Sequence, residues 1–499
     1  MPPSPAPFER DARDAPLPRS QVRTACAVVG CLAVAVAAAL AALVYIVLTV
    51  LGDLSPQPGG SGKDKKPATQ RPGPVAPTAL AAARHTVPLP APFDAVGRAA
   101  SGRFLLLRIP SSGALAVFDP VEAKVVKVVP LGEKNALFAG GAGKLFVYRP
   151  KARELDRYDL VTWEKEDTAK KPDALAAVDH LVVGVGTDAP VLAVAAGSPA
   201  EVAVIDPTPS AWALHPTREW SLSDSPRNVR PSADGTLVGV TSRDAANPDG
   251  RFLRFAPPKA FTRSTLPSGR AASLGHLAPS PDGRFVYSAR GAFDRDGAIA
   301  VPPGGDFFYT LPAAHGSDLF LSVGVGGTEK LEDPLRLHVA GQRPPAAVLA
   351  GVALPAGLSA DDAAEVPMDL RIHLWPAAGL LAVLPTSNDA IDLYKIDMPG
   401  LLAKSGREYL MFGSEPPTSA ARGARLMYET KVWASAAADV SFEVTGPEGM
   451  AMRGPVLMWT VPAAGDEKDV GVKLRAKLPD GRSAEQSFRV LLVDSPPAP

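Results

Sequence analysis

Residues Ser101 to Leu131 read SGRFLLLRIPSSGALAVFDPVEAKVVKVVPL. A turn opens the segment; an apolar strand, a loop and a second strand ending on aspartate follow. Short apolar runs bounded by Gly, Pro, Ser and Asp clusters are strands of a many-stranded sheet protein, because proline and glycine suit turns and break helices. Degenerate copies recur: AGKLFVYRPKARELDRYDL (Ala142 to Leu160), APVLAVAAGSPAEVAVIDP (Ala189 to Pro207) and SADGTLVGVTSRDAANPDGRFLRF (Ser232 to Phe255). SPDGRFVYSARGAFDRDGAIAV (Ser280 to Val301) and AGLLAVLPTSNDAIDLYKID (Ala378 to Asp397) continue the series. The 53 prolines and 44 glycines of the 499-residue chain fit the same reading.

A period of about 40–50 residues built from four strands is that of a propeller blade. A lone four-stranded sheet leaves raw edges and an uncovered face, and radial packing covers both faces. Residues 84–405 are therefore expected to hold six or seven blades of a β-propeller. The strand from His85 to Leu89 is expected to close the ring beside Ile391 to Ile396.

Ser280-Pro281-Asp282-Gly283-Arg284-Phe285-Val286-Tyr287 resembles the turn-and-strand signature of WD40-like, TolB/YVTN-type β-propeller repeats. Ser232-Ala233-Asp234-Gly235-Thr236 is a weaker copy, and Val202-Ala203-Val204-Ile205-Asp206 matches the second-strand signature. The resemblance implies the fold, not a function, since propellers host enzymes, receptors and scaffolds alike. The Asp-Gly pairs themselves read as hairpin turns in which glycine supplies a positive φ.

Residues 413–495 change character, with period-two strands such as ARLMYETKVW (Ala424 to Trp433), VLMWTVP (Val456 to Pro462) and DVGVKLRAKL (Asp469 to Leu478). Turns every 8–12 residues make this a β-sandwich. Gly446-Pro447-Glu448-Gly449-Met450, then Gly454-Pro455-Val456-Leu457-Met458-Trp459-Thr460, and Gln486-Ser487-Phe488 resemble the putative-Ig, cadherin-like repeats of bacterial surface proteins. Trp459 and Met450 are then core residues; the Asp-rich calcium motifs of true cadherins are absent.

At the other end, Thr24 to Leu51 is an uncharged, apolar run of about 28 residues. As a helix it reaches about 42 Å, more than the ~30 Å hydrocarbon core of a bilayer. It exceeds a secretory signal's apolar region, and the lipobox-like Val28-Val29-Gly30-Cys31 stands before most of the apolar stretch instead of after it. A single-pass signal-anchor helix is expected over 24–52, behind a proline-rich cytoplasmic tail (1–23) and ahead of a Pro/Gly-rich linker (53–83). Arg19 and Arg23 hug the membrane edge, whereas Lys63 is the nearest cation on the far side, so the positive-inside rule puts the bulk of the chain in the periplasm or outside the cell.

Chemistry leaves little trace. Cys26 and Cys31 are the only cysteines and both fall in the apolar run, so the body can form no disulfide and no cysteine-ligated metal site. His85, His180, His215, His276, His315, His338 and His373 are scattered singly, without metal-ligand spacing. GGSGKD in the linker and Gly324 to Gly327 lack the strand or helix of a phosphate loop. Asp294-Arg295-Asp296-Gly297 and Asn247-Pro248-Asp249-Gly250 are too poor in oxygen ligands for calcium. With 52 basic against 52 acidic residues and an aromatic share of 6%, a nucleic-acid surface is not indicated. No catalytic, cofactor-binding or metal residue is singled out, and no cofactor is expected. The expected role is a membrane-anchored, non-enzymatic platform for protein or envelope partners. The alternatives are a propeller hydrolase or lyase with its site over the central channel, and a cytoplasm-facing scaffold. These are separable because carboxylates and histidines of perturbed pKa at a channel mouth favour an enzyme, whereas a broad apolar rim favours protein recognition.

Overall fold

The computed structural model describes Leu80 and residues 82–494, apart from 172, 174, 176, 196–200, 206–225, 243–249, 257–259, 266–275, 289–290, 302–307, 317, 325–333, 343, 356–365 and 437–438. The tail (1–23), the expected span (24–52) and most of the linker (53–83) lie outside the described residues. Among those described, no helix is long and apolar enough to cross a membrane.

Between Arg84 and Lys395 the chain forms antiparallel sheets in sequence order, each strand paired to the next. The first sheet joins Ala95–Ala99, Phe104–Ile109, Ala114–Asp119 and Lys124–Pro130. Five more follow over 137–170, 178–205, 226–265, 277–301 and 308–348, each with four strands except that over 178–205, which has three among the described residues. The seventh takes Ile372–Trp375, Leu380–Val383 and Ala390–Lys395 from one end of the chain and Arg84–Pro88 from the other. In that closing pair Arg84 stands opposite Tyr394 and Pro88 opposite Ala390, so the expected strand shuts the ring.

The sheets pack face to face around an axis, which is a β-propeller. In FLLLRI, Phe104 and Leu106 belong to the core shared with Leu145 and Val147 of the second sheet. Leu105 and Leu107 instead join Trp375, Ala382 and Leu393 of the seventh. A strand buried on both faces must be apolar at every position, which is why this run does not alternate. Full burial of each leucine is worth about 1.5–3 kcal/mol.

Backbone hydrogen bonds link one turn to the next around the ring. Ala100 N donates to Gly141 O (2.8 Å), Gly186 N to Ala233 O (2.7 Å), Ala233 N to Pro281 O (3.0 Å) and Ala314 N to Leu374 O (2.8 Å). The Trp375 indole donates to Gly102 O at 2.9 Å, joining the seventh sheet to the first. Neighbouring innermost strands approach so closely that a Cβ on Gly140 would lie 2.4 Å from the Ala99 Cβ.

Past the ring, a short helix (Met398–Lys404) is capped by Asp397, which accepts from Gly400 N at 3.1 Å. Its Met398 and Leu402 share a core with Tyr409 and Met411, and that core reaches the sixth and seventh sheets. The terminal strands form a sheet ordered Ser419–Ala421, Ser483–Val493, Asp469–Lys477, Ser441–Thr445. A second sheet holds Arg425–Glu429, Val456–Thr460 and Ala451–Arg453. They share a core of Leu426, Tyr428, Leu457, Trp459, Leu474 and Val490, with Met450 packed against it. Asp469–Lys477 alternates buried and exposed residues, as a strand covered on one face should.

Candidate functional site

The innermost strands organise two adjoining spaces. Their middle portions line a channel cavity of about 520 Å³, which Gly97, Val182, Arg230, Pro279, Pro312 and His373 help to wall. A few residues further along the same strands, Ser101, Gly186, Ala233, Pro281, Ala314 and Pro376 border a cleft of about 640 Å³. The far wall of that cleft comes from the terminal strand domain, including Phe412, Glu415, Thr445, Lys473, Gln486 and Phe488. The strand domain therefore covers the channel mouth that carries the Ser-x-Asp-Gly turns.

Those turns build the propeller side of the cleft. Ser280 Oγ donates to Asp282 Oδ1 (2.9 Å) and accepts from Phe285 N (3.0 Å), while Gly283 takes a φ of 65°. Ser232, Asp234 and Gly235 repeat the arrangement, with Ser232 Oγ to Asp234 Oδ1 at 2.6 Å, Leu237 N to Ser232 Oγ at 3.0 Å and a φ of 71° at Gly235. Arg284 then bridges sheets: its Nε donates to Asp282 Oδ2 at 2.6 Å and its Nη2 to Asp318 Oδ1 at 2.8 Å. Burial works against the charge on Arg284, yet the two carboxylates hold it above the ordinary arginine value. The turn aspartates are thus spent on shaping and joining turns, as the hairpin reading of the Asp-Gly pairs requires.

Across the cleft, Gln486 Nε2 donates to Ser414 O (2.9 Å) and Tyr428 OH donates to Gln486 Oε1 (3.0 Å). Lys473 pairs with Glu485 at 2.6 Å. His315 Nε2 lies 4.0 Å from Glu415 Oε1, the one histidine–carboxylate approach across the two walls among the described ion pairs. His315 Nε2 is buried without a hydrogen-bond partner among the described residues.

The channel gathers charges that are remote in sequence. Arg230 Nε donates to Asp369 Oδ2 at 2.6 Å and its Nη2 reaches Asp369 Oδ1 at 3.4 Å. Burial opposes ionisation of Asp369, but the charge of Arg230 outweighs it and keeps the carboxyl below its usual range. Arg108 clasps Asp94 through Nε (2.7 Å) and Nη2 (3.0 Å). His373 Nε2 sits 2.9 Å from Leu370 O and His276 Nε2 sits 2.8 Å from Thr310 O. A carbonyl oxygen only accepts, so each Nε2 carries the proton. Burial lowers both histidines, His373 to about 3 with help from Arg98, so both rings are neutral near pH 7.

No family model matches the chain, and no curated protein matches it either. Among solved structures it is similar to Kuenenia stuttgartiensis hydrazine synthase at 13% identity, covering 62% of this chain and 97% of that one, with a TM-score of 0.42. The β-propeller domain of Cps50 (Swd1) from Myceliophteria thermophila is similar at 12% identity, 63% and 99% coverage and a TM-score of 0.42. A gluconolactonase from Xanthomonas campestris shows 15% identity, 51% and 96% coverage and a TM-score of 0.31. The propeller rests on the strand topology. At these TM-scores the likenesses say nothing of a ligand or reaction.

Sequence reasoning singled out no site residue. The structure brings Arg98, Arg230, Asp369 and His373 around one channel, keeps His276 buried off the lining yet within the field of Asp369, and sets His315 in the cleft. It leaves His338 buried in the sixth sheet against Ser322 and Phe320, and His85 on the exposed closing strand. His215 lies outside the described residues. A charged residue on an innermost strand just before a turn, as at Arg98 and Arg230, was the one available signal.

Proposed function

We propose that this chain is a single-pass, membrane-anchored interaction platform outside the cytoplasm, non-enzymatic, built from a seven-bladed propeller and an Ig-like terminal sandwich. The observation that carries the platform reading is the cleft of about 640 Å³ in which propeller turns and terminal strands contribute opposite walls. Such a composite groove offers apolar footing at Phe412 and Phe488, proline-rigidified edges at Pro281, Pro376, Pro416 and Pro417, and a charged rim at Lys473, Glu485 and Arg489. That mix is what a protein segment recognises: a hydrophobic centre with a polar border. The anchor is supported by the uncharged run from Thr24 to Leu51, and the orientation by Arg19 and Arg23 at its edge.

The test is site-specific photo-crosslinking in cells. A crosslinker at Ser487, exposed in the cleft, should capture one discrete partner; one at Val128, exposed on the outer strand of the first sheet, should not. Equal capture from both positions, or from neither, removes the cleft from consideration. External protease on intact cells should digest the propeller, whereas a fully protected propeller reverses the topology.

A further inference from the structure

Strand Arg425–Glu429 lies at the margin of the three-stranded terminal sheet, paired to Val456–Thr460 on one side only. Thr430 N donates to Pro455 O and Val461 N to Ala424 O, both at 2.9 Å, so Leu426 and Tyr428 between them turn their backbone groups toward that neighbour. Arg425, Met427 and Glu429 turn theirs the other way. On that side the chain provides a neighbour only as far as Lys431, whose O accepts from Gly413 N (2.8 Å) and whose N donates to Ser414 Oγ (2.9 Å). Pro416 and Pro417 follow, with no N–H to offer, and the segment crosses to the other sheet at Ser419–Ala421. Among the described residues, nothing pairs with the backbone of Arg425, Met427 and Glu429 on their open side.

The side chains along this edge are open as well. Leu426 and Tyr428 point into the core, so Arg425, Met427 and Glu429 stand on the outer face. Met427 is 60% exposed, the most of any large apolar residue among those described, and Met458 lies opposite it. Arg425 Nη2 reaches Met458 Sδ at 3.0 Å, and neither Arg425 nor Glu429 forms an ion pair among the described residues. Free edges are often blunted by lysine, proline or a bulge. Here the order Arg-Leu-Met-Tyr-Glu instead places opposite charges two residues either side of a methionine. Turned antiparallel on itself about Met427, the strand sets Arg425 against Glu429 of a second copy, Met427 against Met427, and Glu429 against Arg425.

We propose that Arg425–Glu429 is a self-association strand, which adds antiparallel to the same strand of a second copy and joins two three-stranded sheets into one. In that register Arg425, Met427 and Glu429 all fall in hydrogen-bonded pairs, about six bonds in total, because their open N–H and C=O groups face one another. The patch meets itself, as a two-fold interface requires. Two cross-strand Arg–Glu pairs favour this arrangement, whereas in-register parallel pairing sets like charges side by side. Five residues a side, against roughly 20–30 in a standard interface, make the contact weak and reversible. The cleft is walled by the propeller and by the other terminal sheet, through Thr445, Lys473 and Ser487. The edge is therefore separate from the groove offered to partners, and failure of either leaves the other standing.

Disulfide trapping in the full-length protein tests the register, with Cys26→Ala and Cys31→Ala removing the native thiols. Opposed residues of a hydrogen-bonded pair have Cα atoms about 5.5 Å apart, within disulfide reach. On mild oxidation Met427→Cys should give a dimer roughly tenfold faster than Val128→Cys, which is 51% exposed on the propeller. Arg425→Cys mixed with Glu429→Cys should give the mixed dimer, while each alone stays reduced, its two thiols lying about 14 Å apart along the strands. Equal trapping at every position means random collision and overturns the proposal, as does no trapping at Met427→Cys. Charge reversal, read by sedimentation, is independent of thiols. Arg425→Glu or Glu429→Arg alone should weaken the dimer roughly tenfold, and the double variant should restore it. No loss, or loss without restoration, refutes the pairing. A photo-crosslinker at Met427 that captures another protein and gives no self-adduct overturns a second copy as the occupant.

Discussion

Asp119 shows why strands in this chain so often close on aspartate. Its carboxylate accepts from Arg103 Nε (3.0 Å) and Nη2 (2.6 Å), and from Val121 N (2.9 Å) and Glu122 N (3.2 Å) of the following turn. Asp159 holds Val161 N and Thr162 N in the same way, and Asp294 holds Asp296 N and Ala298 N. The side chain ends the ladder by offering the next amides an acceptor, the local competition that makes aspartate a turn residue. At Asp119, only 1% exposed, truncation also takes from the buried Arg103 its two-point partner, leaving the longer pair with Glu122 at 3.7 Å. Asp119→Ala should therefore lose about 3–5 kcal/mol in urea unfolding with the m-value unchanged. A loss under about 1 kcal/mol would show that the neighbouring Glu122 suffices for Arg103. His338 gives the pH counterpart. Burial, then Arg336, push it down to about 4, against about 6.5 in the unfolded chain. Between those values the unfolded chain binds a proton that the fold refuses, so the contribution is complete above about pH 6.5 and disappears as pH falls through 4. The loss by pH 4 is up to about 3 kcal/mol. His338→Gln keeps a partner for Ser322 without titrating in this range. It should flatten the acid limb of stability against pH, and an unaltered slope would assign that limb to other groups.

Ring closure is decided at the scale of one strand. Arg84–Pro88 is exposed on most of its length, yet it covers the open edge of Ala390–Lys395. Arg84 Nη2 and Thr86 Oγ1 both donate to Asp392, at 2.9 and 2.5 Å. Leu80 and Val87 pack on the core beneath, where Leu89 is buried. A full-length protein carrying a deletion of residues 80–89 should lose roughly 3–6 kcal/mol from these apolar groups. It should also self-associate through the bared edge, visible by size-exclusion chromatography as concentration-dependent species. A deletion variant that stays monomeric and equally stable would mean that the strand is ornamental. The pairing was legible in the sequence because a ring needs a strand from the far end of the chain, and one apolar stretch preceded the first complete repeat. The sheets were legible for a related reason: strands buried on both faces, like FLLLRI, carry a signal that survives degeneracy. The channel was not. Its innermost strands read AVGRA, VDHLV, PRNVRP and IHLW, with no common motif. Arg230 meets Asp369 across a separation of 139 residues, and only the ring geometry puts them together.

At the scale of the whole molecule, what matters is that the terminal strand domain is fixed over one channel mouth instead of swinging on a tether. The fixing is apolar: Tyr409 and Met411 lie in the same core as Leu319, Leu337 and Leu374 of the propeller, with Trp433 packed against it. Gly413 is where this attachment is tightest. Its amide donates to Lys431 O at 2.8 Å, and a Cβ there would lie 2.2 Å from Trp433 Cε2. The indole is bulky and packed against that core, so an added methyl displaces it instead of fitting beside it. Gly413→Ala should cost about 1–3 kcal/mol, the usual penalty of overpacking. Because the displaced ring sits at the junction, the damage should appear first as easier cleavage between 405 and 418 in limited proteolysis, while the propeller core stays resistant. Gly471, in a terminal strand with nothing within 4 Å of an added Cβ, supplies the control: Gly471→Ala should leave the digestion pattern unchanged. If Gly413→Ala digests like the wild type, the strand domain is not clamped through Trp433, and the cleft it walls is not a fixed surface for any partner.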